Sequence, residues 1–115
     1  MTIAPRSYYG PRLREALTRD PSAPSAGFVY FIGSVDAARV KIGHSAQPFA
    51  RLSHLRASSP IPLQILGVLA GVDGLEAELH QTFSSERVHG EWFSITGRVA
   101  QVIRDAFTLA TGKAA

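Results

Sequence analysis

Charge along this chain of 115 residues separates into two blocks. Residues 37–58 hold Arg39, Lys41, Arg51 and Arg56 and no acid. Residues 73–91 hold Asp73, Glu76, Glu78, Glu86 and Glu91 against the single Arg87. A phosphate bracketed by cations on one side and by a carboxylate-bound metal on the other would suit that division, and ordinary charge scatter in a short chain would also produce it. Hydrolysis of a phosphodiester needs an anion neutralised and a water deprotonated. Hard divalent cations such as Mg²⁺ take oxygen ligands, often one or two carboxylates plus waters. Glu76 precedes His80 by four residues, which puts both on one face of a helix. Glu78 points elsewhere and is expected to be solvated. Arg51, between Phe49 and Leu52 near a helix start that attracts anions, offers a planar fork matched to phosphate oxygens. His44 follows Gly43 directly, and its near-neutral pKa suits proton transfer.

The elements that would position these groups can be read from the pattern. Pro11 followed by Arg-Leu-Arg-Glu-Ala-Leu-Thr-Arg can start a short helix, because proline suits the first turn. Pro21, Ser22, Pro24 and Ser25 read as a linker. Gly27–Gly33 is β-branched and aromatic, a strand buried on both faces. Arg39–Gly43 alternates polar and apolar, a half-buried strand, and the short Ser34–Ala38 connection makes the two a hairpin. Pro48–Ala57 spaces Phe49, Leu52 and Leu55 as a helix with proline in its first turn. Leu63–Leu69 reads as a third strand. Asp73 can cap a helix carrying Leu75, Leu79 and Phe83. Gly90–Ile95 is a compact aromatic segment. Thr96 can cap a last helix with Val99, Val102, Ile103 and Phe107 on one face. The predicted class is α/β in the α+β sense: a small, three-stranded, mainly antiparallel sheet flanked by helices. Residues 1–26 form a basic, partly helical arm and linker, 27–96 the core, and 97–115 a C-terminal helix and tail.

With those elements in place a family resemblance becomes specific. Val29-Tyr-Phe31, followed about ten residues later by Lys41-Ile-Gly43, resembles the paired motifs of the GIY-YIG superfamily of nucleases. Arg51-Leu-x-x-Leu resembles its catalytic-arginine helix. Leu75-Glu-Ala-Glu-Leu-His80 with Phe83, then Gly90-Glu-Trp-Phe93, resembles its glutamate helix and closing segment. The most similar branch is the compact one of phage proteins and fungal meiotically up-regulated proteins. The four motifs stand in the family's order across about residues 27–96.

The resemblance implies a metal-dependent endonuclease with one Mg²⁺ (or Mn²⁺) held by Glu76. It implies that Arg51 holds the scissile phosphate and that Tyr30 positions or deprotonates the attacking water. A free tyrosine titrates near 10, so service as a base calls for a nearby cation, which Lys41 could supply. The superfamily commonly has tyrosine at this position; this chain has Lys41, and the similar branch likewise has lysine. His44 is a further catalytic candidate, as base or phosphate contact. His80 and Glu91 are expected to support the metal from outside, through the sheet or a bound water. Many members add a late asparagine, and this chain contains none. Trp92 and Phe93 read as core, with stacking of Trp92 on a base as the alternative; His54 and His89 read as surface.

Composition bounds the setting. Net charge is +3, with apolar residues at 45% and no cysteine. Disulfides and thiolate metal sites are thereby excluded, and a reducing cytoplasm is the expected compartment. The longest apolar stretch, Ile61–Val72, is too short for a membrane span and contains Pro62 and Gln64. The expected partner is nucleic acid, DNA ahead of RNA, with no membrane. Specificity is expected from loops, the basic termini, a homodimer or a partner protein. A fold that binds DNA without turnover is the competing reading.

Overall fold

The computed structural model describes residues 6–19 and 25–111, with side chains described as far as Ala106. Its elements are α1 (Pro11–Thr18), β1 (Phe28–Ser34), β2 (Arg39–Ser45), α2 (Pro48–Ser58), β3 (Gln64–Ala70), α3 (Leu75–Thr82), a 3-10 turn over Ser84–Glu86, β4 (Arg87–His89), β5 (Trp92–Ser94) and α4 (Gly97–Thr111). The expected linker residues Pro21, Ser22 and Pro24 lie outside the described residues, as does the side chain of Phe107.

The sheet is antiparallel and has five strands, in the order β3-β1-β2-β5-β4, where three were expected. The two added strands are three residues each, a hairpin turning at Gly90 (φ 56°). Segments that short show no period from which a strand could be read. β1 lies between β3 and β2 and is buried from Val29 to Gly33. β2 pairs with it in register from Phe28↔Ser45 to Ser34↔Arg39, the hairpin that the short connection implied.

Alternation along β1 and β2 sorts the core into two layers. Val29, Phe31, Val40 and Ile42 face a large cluster with Leu13 of α1, Leu75 and Leu79 of α3, and Val99, Val102 and Ala106 of α4. Tyr30 and Ile32 face the other way, against Leu52 of α2 and Leu63. Each fully buried large side chain contributes roughly 1.5–3 kcal/mol, so three helices hold one face firmly. The second face has α2 alone and remains open towards β2 and β5.

Three local expectations are corrected. Phe49 is 77% exposed; Pro48 takes the inward position instead, so the buried stripe of α2 runs through Pro48 and Leu52. The residue before α3 is Gly74 at φ 82°, with no side-chain cap, so Asp73 does not cap that helix. Glu78 is not solvated. Its carboxylate accepts hydrogen bonds from the backbone N–H groups of Arg12 (3.1 Å) and Leu13 (2.8 Å), capping the first turn of α1. The segment read as an arm carries Tyr9, Leu13 and Ala16 into the larger core. Thr96 does precede α4 as expected, its carbonyl accepting from Ala100 N at 2.8 Å.

Candidate active site

The β1–β2 hairpin sets Tyr30 and Lys41 on the same face as α2, with Tyr30 opposite Gly43 and Lys41 opposite Ile32. The Tyr30 ring is buried over Gly43. On the other side of β2, Lys41 pairs with Trp92 of β5. That register brings Glu91, the residue before Trp92, against the lysine: Lys41 Nζ donates to Glu91 Oε1 at 2.7 Å. The Glu91 carbonyl also accepts from Ile42 N at 3.1 Å, which closes the β4–β5 hairpin onto the strand.

Past the end of β5, the edge of β2 is covered by α3. His80 makes the junction. Its Nε2 lies 2.8 Å from the Ile42 carbonyl. A carbonyl only accepts, so Nε2 is the donor, which in a neutral imidazole leaves the lone pair on Nδ1. Glu76, one turn earlier, stands beside it. One donor atom each from Glu76, His80 and Glu91 lie within 4.8 Å of one another, all three residues half-buried. Two carboxylates and an imidazole oriented by a backbone carbonyl form a donor set that fits a divalent cation, Mg²⁺ or Mn²⁺ through the oxygens and Mn²⁺ also through the nitrogen.

Electrostatics tie α2 to the same place. Burial pushes the Tyr30 hydroxyl above its ordinary range; the Arg51 guanidinium opposes that shift, and the carboxylates of Glu91 and Glu76 reinforce it. Arg51, Glu76 and Glu91 therefore all act on the Tyr30 hydroxyl, although α3 backs onto the opposite layer of the core. The phenol is held protonated. The expected source of positive charge at Tyr30, Lys41, is engaged by Glu91, and Arg51 takes that place.

His44 stands apart from the tyrosine. Alternation along β2 turns it away from Lys41, and its Nε2 meets the Ala26 carbonyl at 2.6 Å. It lines a shallow cleft together with Val72, Asp73 and Glu76. The closing motif marked Glu91 as a candidate, but its pairing with Lys41 depends on the Lys41↔Trp92 register, which no local motif records.

Comparison with protein families gives a match over most of the chain. The family model of the T5orf172 domain, a phage-associated domain related to GIY-YIG-like nuclease and DNA-binding modules, matches residues 27–108. That span contains Tyr30, Lys41, Arg51, Glu76, His80 and Glu91. No curated protein and no solved structure matches the chain. Among the described residues, no helix is long and apolar enough to cross a membrane.

Proposed function

The chain belongs to the T5orf172 domain family, and we propose that it is a divalent-metal-dependent endonuclease of GIY-YIG type, cleaving phosphodiester bonds in nucleic acid, DNA ahead of RNA. The observation that carries this reading is the half-buried Glu76–His80–Glu91 cluster, with Lys41 bonded to Glu91 and with Arg51, Glu76 and Glu91 all acting on the Tyr30 hydroxyl. Two carboxylates beside a phosphate-binding arginine repel the very anion the arginine attracts, unless a cation lies between them.

Glu76 would hold that cation, with Glu91 and His80 within reach. Once bound, it supplies Lewis-acid polarisation of the phosphate and of water. Arg51 binds the non-bridging phosphate oxygens through its fork and stays charged throughout the working pH range. Tyr30, kept neutral by burial, orients the attacking water rather than deprotonating it. Lys41 shares Glu91 in the resting chain and can turn one of its three N–H groups to a phosphate oxygen. His80 fixes α3 against β2 and so fixes Glu76.

The Lys41–Glu91 contact at 2.7 Å also favours a second reading, because it satisfies Glu91 without any metal. A module that binds nucleic acid and does not cut would keep that pair intact. Cleavage of single-stranded, duplex and branched DNA and RNA in Mg²⁺ or Mn²⁺, beside binding in EDTA, separates the two. The nuclease reading expects metal-dependent cleavage that falls at least about 100-fold in Glu76→Gln, where the ligand and with it several kcal/mol of transition-state support are lost, with binding in EDTA kept or strengthened. Binding with no cleavage of any substrate in either metal would establish the second reading.

A further inference from the structure

The open side of the α2 face continues past Lys41 into a groove of about 450 Å³, between the C-terminal end of α2 and the β4–β5 hairpin. Trp92 is its central aromatic. Leu55, Pro60 and Ile61 line the apolar side, and Arg39 and His89 the polar rim. No acidic residue lines it. Trp92 is half-buried and packed on the cluster that contains Tyr30 and Leu52, so its indole is anchored. It pairs directly with Lys41 and follows Glu91 in the chain.

We propose that this groove receives one unpaired nucleobase, stacked on Trp92, adjacent to the phosphate held at Arg51 and Lys41. The substrate class is then nucleic acid with an unpaired nucleotide beside the scissile bond: a single strand, a flap or a mismatch. The proposal rests on the nuclease reading for where the phosphate sits, and the groove's own chemistry selects the occupant. A planar, apolar-faced ring with polar edges matches an aromatic platform with a cationic, acid-free rim, and the flanking phosphates supply the complementary charge. A base in a duplex is already stacked and paired, and extruding it costs a few kcal/mol, least where the base is mismatched or single-stranded. A groove of this kind therefore discriminates by substrate structure, with little preference among bases, because every base has a π-face.

Trp92 is the only tryptophan in the chain, so its fluorescence reports this groove alone. The experiment is titration of the full chain in EDTA with an oligonucleotide of about eight nucleotides, a blunt hairpin duplex, and single strands carrying one abasic position at a time. Anisotropy of labelled strands is followed in parallel. The single strand should quench the emission and the duplex should bind with little quenching. One abasic position should weaken binding about 5- to 150-fold, the range for loss of one stacked base. Trp92→Leu should lose the same factor on the intact strand and lose no more on the abasic one. Ser58→Phe fills the groove from its exposed rim without touching the core, and should reproduce that loss in a chain whose folding is unaltered. Equal quenching by duplex and single strand overturns the proposal, as does an abasic series with no sensitive position. Cleavage without quenching would sink the groove and leave the nuclease standing; quenching without cleavage would do the reverse.

Discussion

The Tyr30 phenol lies over Gly43, its cross-strand partner, in the space that a Cβ at position 43 would occupy. The backbone of Gly43 does not adopt a positive φ. Close approach, rather than a turn, is why glycine stands in Lys41-Ile-Gly43. The two resembling motifs are thus halves of one contact, and the glycine sets the depth of the tyrosine. Gly43→Ala should fold and lose about 1–3 kcal/mol to overpacking. With the phenol displaced from the water it orients, single-turnover cleavage should fall at least about tenfold. Thermal unfolding beside a cleavage time course reads both, and an alanine variant that cuts at the parental rate would show that the depth of Tyr30 is immaterial.

Glu76 and Glu78 should separate cleanly, although two residues apart on one helix. Glu78→Gln keeps an acceptor for α1 but loses the charge that favours a helix N-terminus and the 3.8 Å approach of Arg12. Unfolding stability should drop by about 1 kcal/mol, within the range for a lost cap. Cleavage by the folded variant at saturating substrate should be unchanged. Glu76→Gln should show the opposite pattern, with stability kept and cleavage lost. An unaltered melting temperature in Glu78→Gln would remove the capping assignment.

Asp105 should make stability depend on pH. Burial raises its carboxyl. The Arg6 side chain, donating at 3.0 and 3.3 Å, and the Tyr9 hydroxyl, at 2.7 Å, outweigh burial and hold it below its ordinary value. A depressed folded pKa gives stability that is present above the unfolded value near 3.9 and is lost as pH falls through the folded one. The pair is partly exposed, so the contribution is on the order of 1 kcal/mol. Denaturant unfolding at pH 7 should show Asp105→Asn weaker by that amount. The gap should narrow below about pH 4 and close once the parental carboxyl is protonated. A gap of constant size down to pH 2 would mean that the carboxylate charge is not what stabilises the contact.

Several features of this structure could be read from residue types alone, for local reasons. β1 shows as a strand because burial on both faces demands an unbroken β-branched and aromatic run, and β2 shows because half-burial demands alternation. Pro11 and Pro48 mark helix starts. Phe49 misled because the spacing 48/52/55 is as helical as 49/52/55, and only packing decides whether the proline or the phenylalanine turns inward. Glu78 misled because its partner, α1, lies about 65 residues away in the chain. The same holds for the site. Tyr30, Lys41, Arg51 and Glu76 could be picked out in order, whereas the Lys41–Glu91 contact spans 50 positions and depends on a strand three residues long. The oriented Nδ1 of His80 follows from a carbonyl on another element, which no periodicity records.

The boundary of family likeness is not the boundary of cooperative folding. Likeness begins at residue 27, yet α1 is held to α3 by Glu78, and the segment before it is held to α4 by Asp105 and to Gln101 by Tyr8. Leu13 covers the layer in which Leu75 and Leu79 sit. A cassette cut at the likeness boundary and grafted elsewhere would take the whole cleft with it and leave behind the helix that braces α3 from the rear. Water would then reach the back of the very helix that sets Glu76. Residues 6–18 are, in mechanical terms, the backplate of the site.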